Sequence, residues 1–233
     1  NFSGNISGPV LADRLTLTFS FQNEHSENGD NLLAFTPTGL LNSAVTQPAT
    51  TESYTARATA QLSPNNVLHS SLTWGNTRSE NNNVGGFGLP EQSHTATRDD
   101  FNFQLKETAI LSRSFNNEAR FRYIEVTSQN LPFLDALHID VTGAFRSGGS
   151  PNNQESTRTD YEFGNLVMYT GNRWSLRFGF DGVYVKEQSD FRNNFNGTFT
   201  FDTLEDYIAR IPSQYEVTLG TPSIEVSQWE TGS

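Results

Sequence analysis

Not one of the 233 residues is cysteine, which excludes disulfide staples and thiolate metal sites and leaves thiol catalysis without a nucleophile. Long hydrophobic runs are missing as well. No stretch of about eighteen apolar residues occurs, so a transmembrane helix is excluded. Basic residues are scarce: 15 Lys and Arg stand against 26 Asp and Glu, giving a formal net charge of -11. Nucleic acid, which asks for a basic footprint, is therefore not an expected partner. Apolar residues make up only 34% of the chain and mean hydropathy is -0.54, lean for a conventional buried core at this length. No secretory signal pattern stands at Asn1, so a processed form or a piece of a longer chain is expected.

What is present is rhythm. Leu15, Leu17, Phe19 and Phe21 interleave with Arg14, Thr16, Thr18, Ser20 and Gln22, the period-2 pattern of a strand with one oily and one wet face. Three tight polar turns, Ser63-Pro64-Asn65-Asn66, Ser114-Phe115-Asn116-Asn117 and Thr170-Gly171-Asn172, each join two such segments, and long excursions link the pairs. Short turns on one side and long loops on the other describe an antiparallel up-and-down transmembrane β-barrel of the outer membrane. Such a wall needs apolar residues only at every second position, which reconciles low hydropathy with residence in lipid. The 18 Phe suit lipid-facing positions and interfacial girdles, and their number speaks against disorder.

The pattern predicts about eight spanning strands, all in a single domain over 1–233 that forms part of an all-β barrel. They are Asp13–Asn23, Ser53–Leu62, Val67–Thr77, Asp99–Ser112, Glu118–Thr127, Arg158–Tyr169, Arg173–Lys186 and Ser213–Gly220. Asn1–Val10 reads as an approach segment, and Ile224–Trp229 as the start of another strand. Glu24–Glu52 and Arg78–Arg98, rich in Asn, Thr and Gly, read as loops. Leu137–Phe145 alternates like a strand, but a crossing there would put the turn at Thr170-Gly171-Asn172 outside, so it is assigned to an external excursion with a flexible tip at Ser147–Asn153. Leu204, Tyr207, Ile208 and Ile211 recur at helical spacing, with Asp202 or Thr203 as cap and Pro212 as stop.

Several segments carry a family resemblance in wording and in order. They are Asn1-Phe2-Ser3-Gly4-Asn5-Ile6-Ser7-Gly8-Pro9-Val10, Arg173-Trp174-Ser175-Leu176-Arg177-Phe178-Gly179-Phe180-Asp181, and Phe195-Asn196-Gly197-Thr198-Phe199-Thr200-Phe201 continuing through Leu204-Glu205-Asp206-Tyr207-Ile208 to Pro212-Ser213-Gln214-Tyr215. The chain resembles the TonB-dependent receptor barrel, and within it the Oar-like receptors that carry a carboxypeptidase-regulatory-like domain. The resemblance implies a 22-stranded barrel of which this sequence is an early part, an internal plug domain and a TonB box that lie outside it, and energy delivered by the TonB system through the plug. The implied partners are outer-membrane lipid, the plug and the remaining strands. The implied role is uptake of a large nutrient such as a peptide, a glycan or a metal chelate. A complete small barrel, or a self-assembling adhesive β-structure, is the alternative that the strand pattern leaves open.

No catalytic constellation emerges, so the chain is expected not to be an enzyme and to use no cofactor. His25, His69, His94 and His138 lack metal-ligand spacing and read as solvated residues. Glu24, Glu27 and Asp30 lack the order of a calcium loop. Gly85-Gly86-Phe87-Gly88 has no phosphate-loop lysine. The candidate functional residues are the arginines on the wet face, Arg57, Arg120, Arg122 and Arg177, expected to face the lumen, where they pair with carboxylates or line a path. Arginine is tolerated there and costs about 2–4 kcal/mol against mid-bilayer lipid. Phe87, Phe133, Phe191 and Phe195 are expected to pack the external loops.

Overall fold

A computed structural model describes residues 1–232. It contains, in chain order, β1 (Phe2–Leu11), β2 (Leu15–Thr36), β3 (Gly39–Ser63), β4 (Asn66–Asn82), β5 (His94–Ile110), β6 (Phe115–Pro132), β7 (His138–Val141), β8 (Phe145–Gly148), β9 (Gln154–Thr170), β10 (Ser175–Phe191), β11 (Thr198–Phe201), α1 (Leu204–Ala209), β12 (Gln214–Glu216) and β13 (Ser223–Gly232). Nine of the strands form one antiparallel sheet in the order β1-β2-β3-β4-β5-β6-β9-β10-β13, and β12-β11-β7-β8 form a second. Among the described residues β1 and β13 do not pair, so the large sheet is an open arc of barrel wall.

The register carries the oily face unbroken from strand to strand. Phe19 opposes Ala56, Ala56 opposes Leu72, Leu72 opposes Phe103, and Phe103 opposes Tyr123. Tyr123 continues the row to Tyr161, Tyr184 and Trp229. Large rings mark the upper edge of this face. Tyr54 and Trp74 lie 5.6 Å apart, and Tyr123–Tyr161, Tyr161–Tyr184 and Tyr184–Trp229 follow at 5.2, 6.1 and 4.8 Å. Between β5 and β6 the belt steps down one row, with Phe101 against Tyr123 at 5.8 Å. Tilted strands require that step if the rings are to keep one height in the membrane. Phe115 and Tyr169, 4.9 Å apart, mark the opposite edge.

Two glycines on this face are covered by rings. A Cβ on Gly4 would meet Phe21, and one on Gly182 would meet Phe163. Each ring lies over its cross-strand glycine and supplies the side-chain packing that the glycine lacks.

The structure corrects the sequence reading at several points. The sheet has nine strands rather than about eight. Asn1–Val10 is no approach segment: β1 pairs with β2 through Ile6↔Phe19 and Gly8↔Leu17. The turn between them, with Asp13 at φ 56, is a fourth tight connection on the short-turn side. Glu24–Glu52 is not a loop. β2 and β3 run for 22 and 25 residues and stay paired to Thr36↔Gly39, roughly twice the 9–11 residues that span a bilayer. Above the membrane Glu24–Asn31 is exposed on both faces of β2, so polar Ser and Asn there cost the ladder nothing. Likewise the Arg78–Arg98 loop shrinks, because β4 continues to Asn82 and β5 begins at His94. Ser213–Gly220 supplies only the short β12, and the strand that follows β10 in the wall is β13, which begins beside the expected Ile224.

Other readings agree with the structure. Leu137–Phe145 lies outside the wall, as β7, a turn and the start of β8. The helix forms with Thr203 as its cap, the side chain accepting from the Asp206 amide, although it ends at Arg210 in the left-handed conformation before Pro212 is reached.

Candidate functional site

The wet face of the arc carries all four predicted arginines, on the side of the strands opposite the aromatic belt. Arg57 on β3 lies between Thr18 and Ser71. Arg122 on β6 lies between Gln104 and Glu162. Arg120 lies between Lys106 and Gly164, and Gly164 in turn opposes Asp181. Arg177 on β10 opposes Met168, two rows nearer the short turns. Register thus brings Arg57, Arg120 and Arg122 into two adjacent rows and leaves Arg177 apart.

Carboxylates answer part of this charge. Arg120 donates to Asp181 Oδ1 at 2.5 Å, Lys106 reaches Glu118 at 2.7 Å, and Arg122 lies 3.6 Å from Glu162. Arg57 and Arg177 take part in no ion pair among the described residues. A hollow of about 310 Å³ is lined by Gln104, Arg120, Arg122, Glu162, Gly164 and Asp181. A shallower one beside it, lined by Arg57, His69, Ser71 and Lys106, holds about 200 Å³.

Gly164 is the residue that sequence reading missed. The Arg120–Asp181 pair spans β9, and a Cβ at Gly164 would collide with the Asp181 carboxylate and crowd the Arg120 guanidinium. Glycine is the notch through which the two side chains meet. Gly164→Val should therefore part them while suiting strand geometry. Because both partners are largely exposed, the expected change in unfolding free energy is within about 1 kcal/mol, read from urea titration of the refolded protein in vesicles. A loss several times larger would mean that β9 itself needs the glycine.

The second assembly lies beyond the aromatic belt. Leu32 and Ala34, on the same face of β2 as Thr16–Gln22, are buried against Val141, Ala144, Phe145 and Phe201. Leu89 joins this cluster from the β4–β5 excursion, and Ile139, Phe199, Leu204 and Tyr207 border it. The face that is polar within the wall becomes apolar above it, because here it supports a core. Tyr207 meets Phe145 and Phe201 edge-on, with centroids at 5.1 and 5.3 Å.

Backbone hydrogen bonds stitch the excursions together. Leu33 N–H donates to Gly86, Phe35 N–H to Ala144, Arg146 N–H to Phe87, Thr142 N–H to Phe201 and His138 N–H to Gly197. The free upper edge of β2 is thereby covered. Ser147–Gly149 is no flexible tip: the two N–H of the buried Gln92 amide are shared among the carbonyls of Ser147, Gly148 and Gly149, which lie 2.6, 2.9 and 3.0 Å from Nε2.

Two of the four histidines are not solvated. His94 and His138 are buried, and burial pushes both imidazoles below their ordinary value. The reading of the external phenylalanines as loop packing holds only in part. Phe195 is half-buried, whereas Phe87, Phe133 and Phe191 are exposed, Phe133 to 79%; the packing is done by Phe145, Phe199 and Phe201. Among the described residues no three His, Asp or Glu converge as metal ligands. Glu27 lies on the opposite face of β2 from Glu24 and Asp30, since strand residues alternate.

Comparisons with known proteins agree with this geometry. Residues 38–233 match the family described as outer membrane beta barrel domain. The crystal structure of the outer membrane transporter YddB from Escherichia coli is similar in fold, with a TM-score of 0.72 and 10% identity over 98% of this chain and 30% of that one. The chain thus spans about 30% of the length of that transporter. No curated protein matches the sequence.

Proposed function

Because the chain belongs to the family of outer membrane beta barrel domains and resides in the outer membrane, we propose that its nine strands are a stretch of the barrel of a TonB-dependent receptor importing a large nutrient. The observation that carries the reading is that almost the whole chain, 98% of it, superposes on 30% of a transporter from the same membrane. The open edges at β1 and β13 support it, since unpaired strand edges are untenable in lipid and call for further strands. In this reading the wet face meets a plug domain, the TonB system acts through that plug, and the outer layer meets the cargo. The chain's part is binding and passage, without a reaction of its own and without a cofactor.

The cargo is a peptide, a glycan or a metal chelate. The outer segments 24–52, 78–98, 128–157 and 187–223 hold fifteen carboxylates and five arginines, a field that favours cationic or neutral cargo over anionic.

The test is made on the native protein. Its denatured mass in the source membrane, detected through the peptide Arg173–Asp181, should be several times 25.9 kDa. Uptake of a cationic oligopeptide should depend on the gene and collapse when the proton gradient is dissipated. A native mass near 25.9 kDa would overturn the receptor reading and leave a small barrel or a self-assembling sheet in which β1 pairs with β13 of itself or of a second copy.

A further inference from the structure

We infer that the outer layer is held closed by a proton-sensitive latch formed by Gln92, His94 and His138. The three residues sit where separate excursions meet. Gln92 belongs to the β4–β5 excursion, yet its amide group is spent on consecutive carbonyls, Ser147 to Gly149, of the β6–β9 excursion. His138 Nδ1 lies 3.2 Å from the last of these carbonyls. A carbonyl only accepts, so the neutral ring carries its proton on Nδ1 and leaves Nε2 bare. The His138 backbone N–H donates to Gly197, tying in the β10–β13 excursion. At the other joint, His94 opens β5 directly after Ser93, whose carbonyl accepts from Phe133 N–H where the β6–β9 excursion departs. His94 Nδ1 is buried and has no hydrogen-bond partner.

Protonation is unfavourable at both joints while the layer is closed. On His138 it would add a second N–H to a buried ring that lines a small hollow together with Arg192. Burial opposes the charged ring most, the Gly149 carbonyl and Asp140 on β7 favour it, and Arg146 on β8 opposes it, with the balance on the neutral side. Around His94 the cross-strand neighbours are Asn82 and Pro132, neither charged, and burial alone acts on the ring. Both groups titrate lower in the closed layer than in an open one. Their contribution to closure is therefore whole above about pH 6.5, the free imidazole value, and is lost as pH falls below it. Each histidine that gains a proton on opening steepens the opening equilibrium by up to about tenfold per pH unit.

The inference rests on the outer-membrane setting and not on transport. Hydrogen exchange of the full-length protein in outer-membrane vesicles tests it, between pH 7.5 and 5.0, with rates corrected for intrinsic chemistry. Protection of peptides covering 83–93 and 137–149 should fall by on the order of tenfold or more across that range, while the spanning parts of β5 and β6 keep theirs. His94→Leu removes an unpartnered polar atom, and His138→Asn keeps a donor near the Gly149 carbonyl. Each should flatten the pH dependence by about half, and the double variant should abolish it. Either single variant alone reads the slope if the other does not assemble. A flat profile in the parent protein, or a pH dependence that survives in the double variant, would overturn the latch. Cargo uptake does not enter the readout, so the latch and the receptor reading fail separately.

Discussion

Phe180→Arg is expected to destabilise the assembled wall by about 2–4 kcal/mol, the cost of an arginine near the bilayer midplane. Phe180 lies on the oily face of β10, midway between Leu176 and the belt residue Tyr184, and it is 57% exposed because lipid covers it instead of protein. The same strand supplies its own control. Arg177 and Asp181 lie on the wet face, and Asp181 pairs there with Arg120. Arg177→Ala and Asp181→Asn should each change stability by about 1 kcal/mol or less, as expected for exposed charges. The measurement is urea unfolding of the refolded protein in lipid vesicles, together with the amount assembled in the outer membrane. A chain whose oily face met a protein core would give a different pattern: Phe180→Arg would disrupt it, but the penalty would not vanish on moving the arginine to positions above the Tyr184 belt. For a lipid-facing strand the penalty falls to about 0–1 kcal/mol near the interface, so Gln188→Arg, above the belt on the same face, should be nearly silent.

That contrast is also why the wall was legible in the sequence. Within the membrane, side-chain period and register both answer to lipid on one face, so Leu15–Phe21 and Trp174–Asp181 announce themselves by alternation alone. Parity of short and long connections then placed Leu137–Phe145 outside the wall, where β7 and β8 are found. Above the membrane lipid no longer acts on one face, and the buried Leu32 and Ala34 answer to a core supplied by other excursions. The upper halves of β2 and β3 read as loop because Asn, Thr and Ser serve either state, and what holds them is pairing between residues far apart in sequence. β1 was hidden for a related reason: its glycines blank the alternation, and the packing that Gly4 lacks is supplied from β2 by the Phe21 ring. The arginines of the wet face were visible by parity. Gly164 and Gln92 were not, because a notch and a triple carbonyl contact exist only once three strands or two excursions have been brought together.

Phe145→Ala should open the outer layer while leaving the wall intact. Phe145 is buried against Val141 and Phe201 and meets the Tyr207 ring edge-on. Deleting such a side chain costs about 3–5 kcal/mol. The cluster it anchors is small, so it has little surplus with which to absorb that loss, and opening of the layer should rise by roughly two to three orders of magnitude at about 1.4 kcal/mol per tenfold. Limited proteolysis on intact outer-membrane vesicles reads this directly: cleavage within 133–153 and 192–222 should accelerate, with the spanning strands still protected. Phe133→Ala is the matched control, since Phe133 is 79% exposed and its removal should shift stability by no more than about 0.5 kcal/mol. Equal protease sensitivity in the two variants would mean that the excursions move independently despite their shared hydrogen bonds. If only Phe145→Ala opens the layer, the four excursions act as one body, and a proton or a cargo molecule that perturbs one joint is felt at the others.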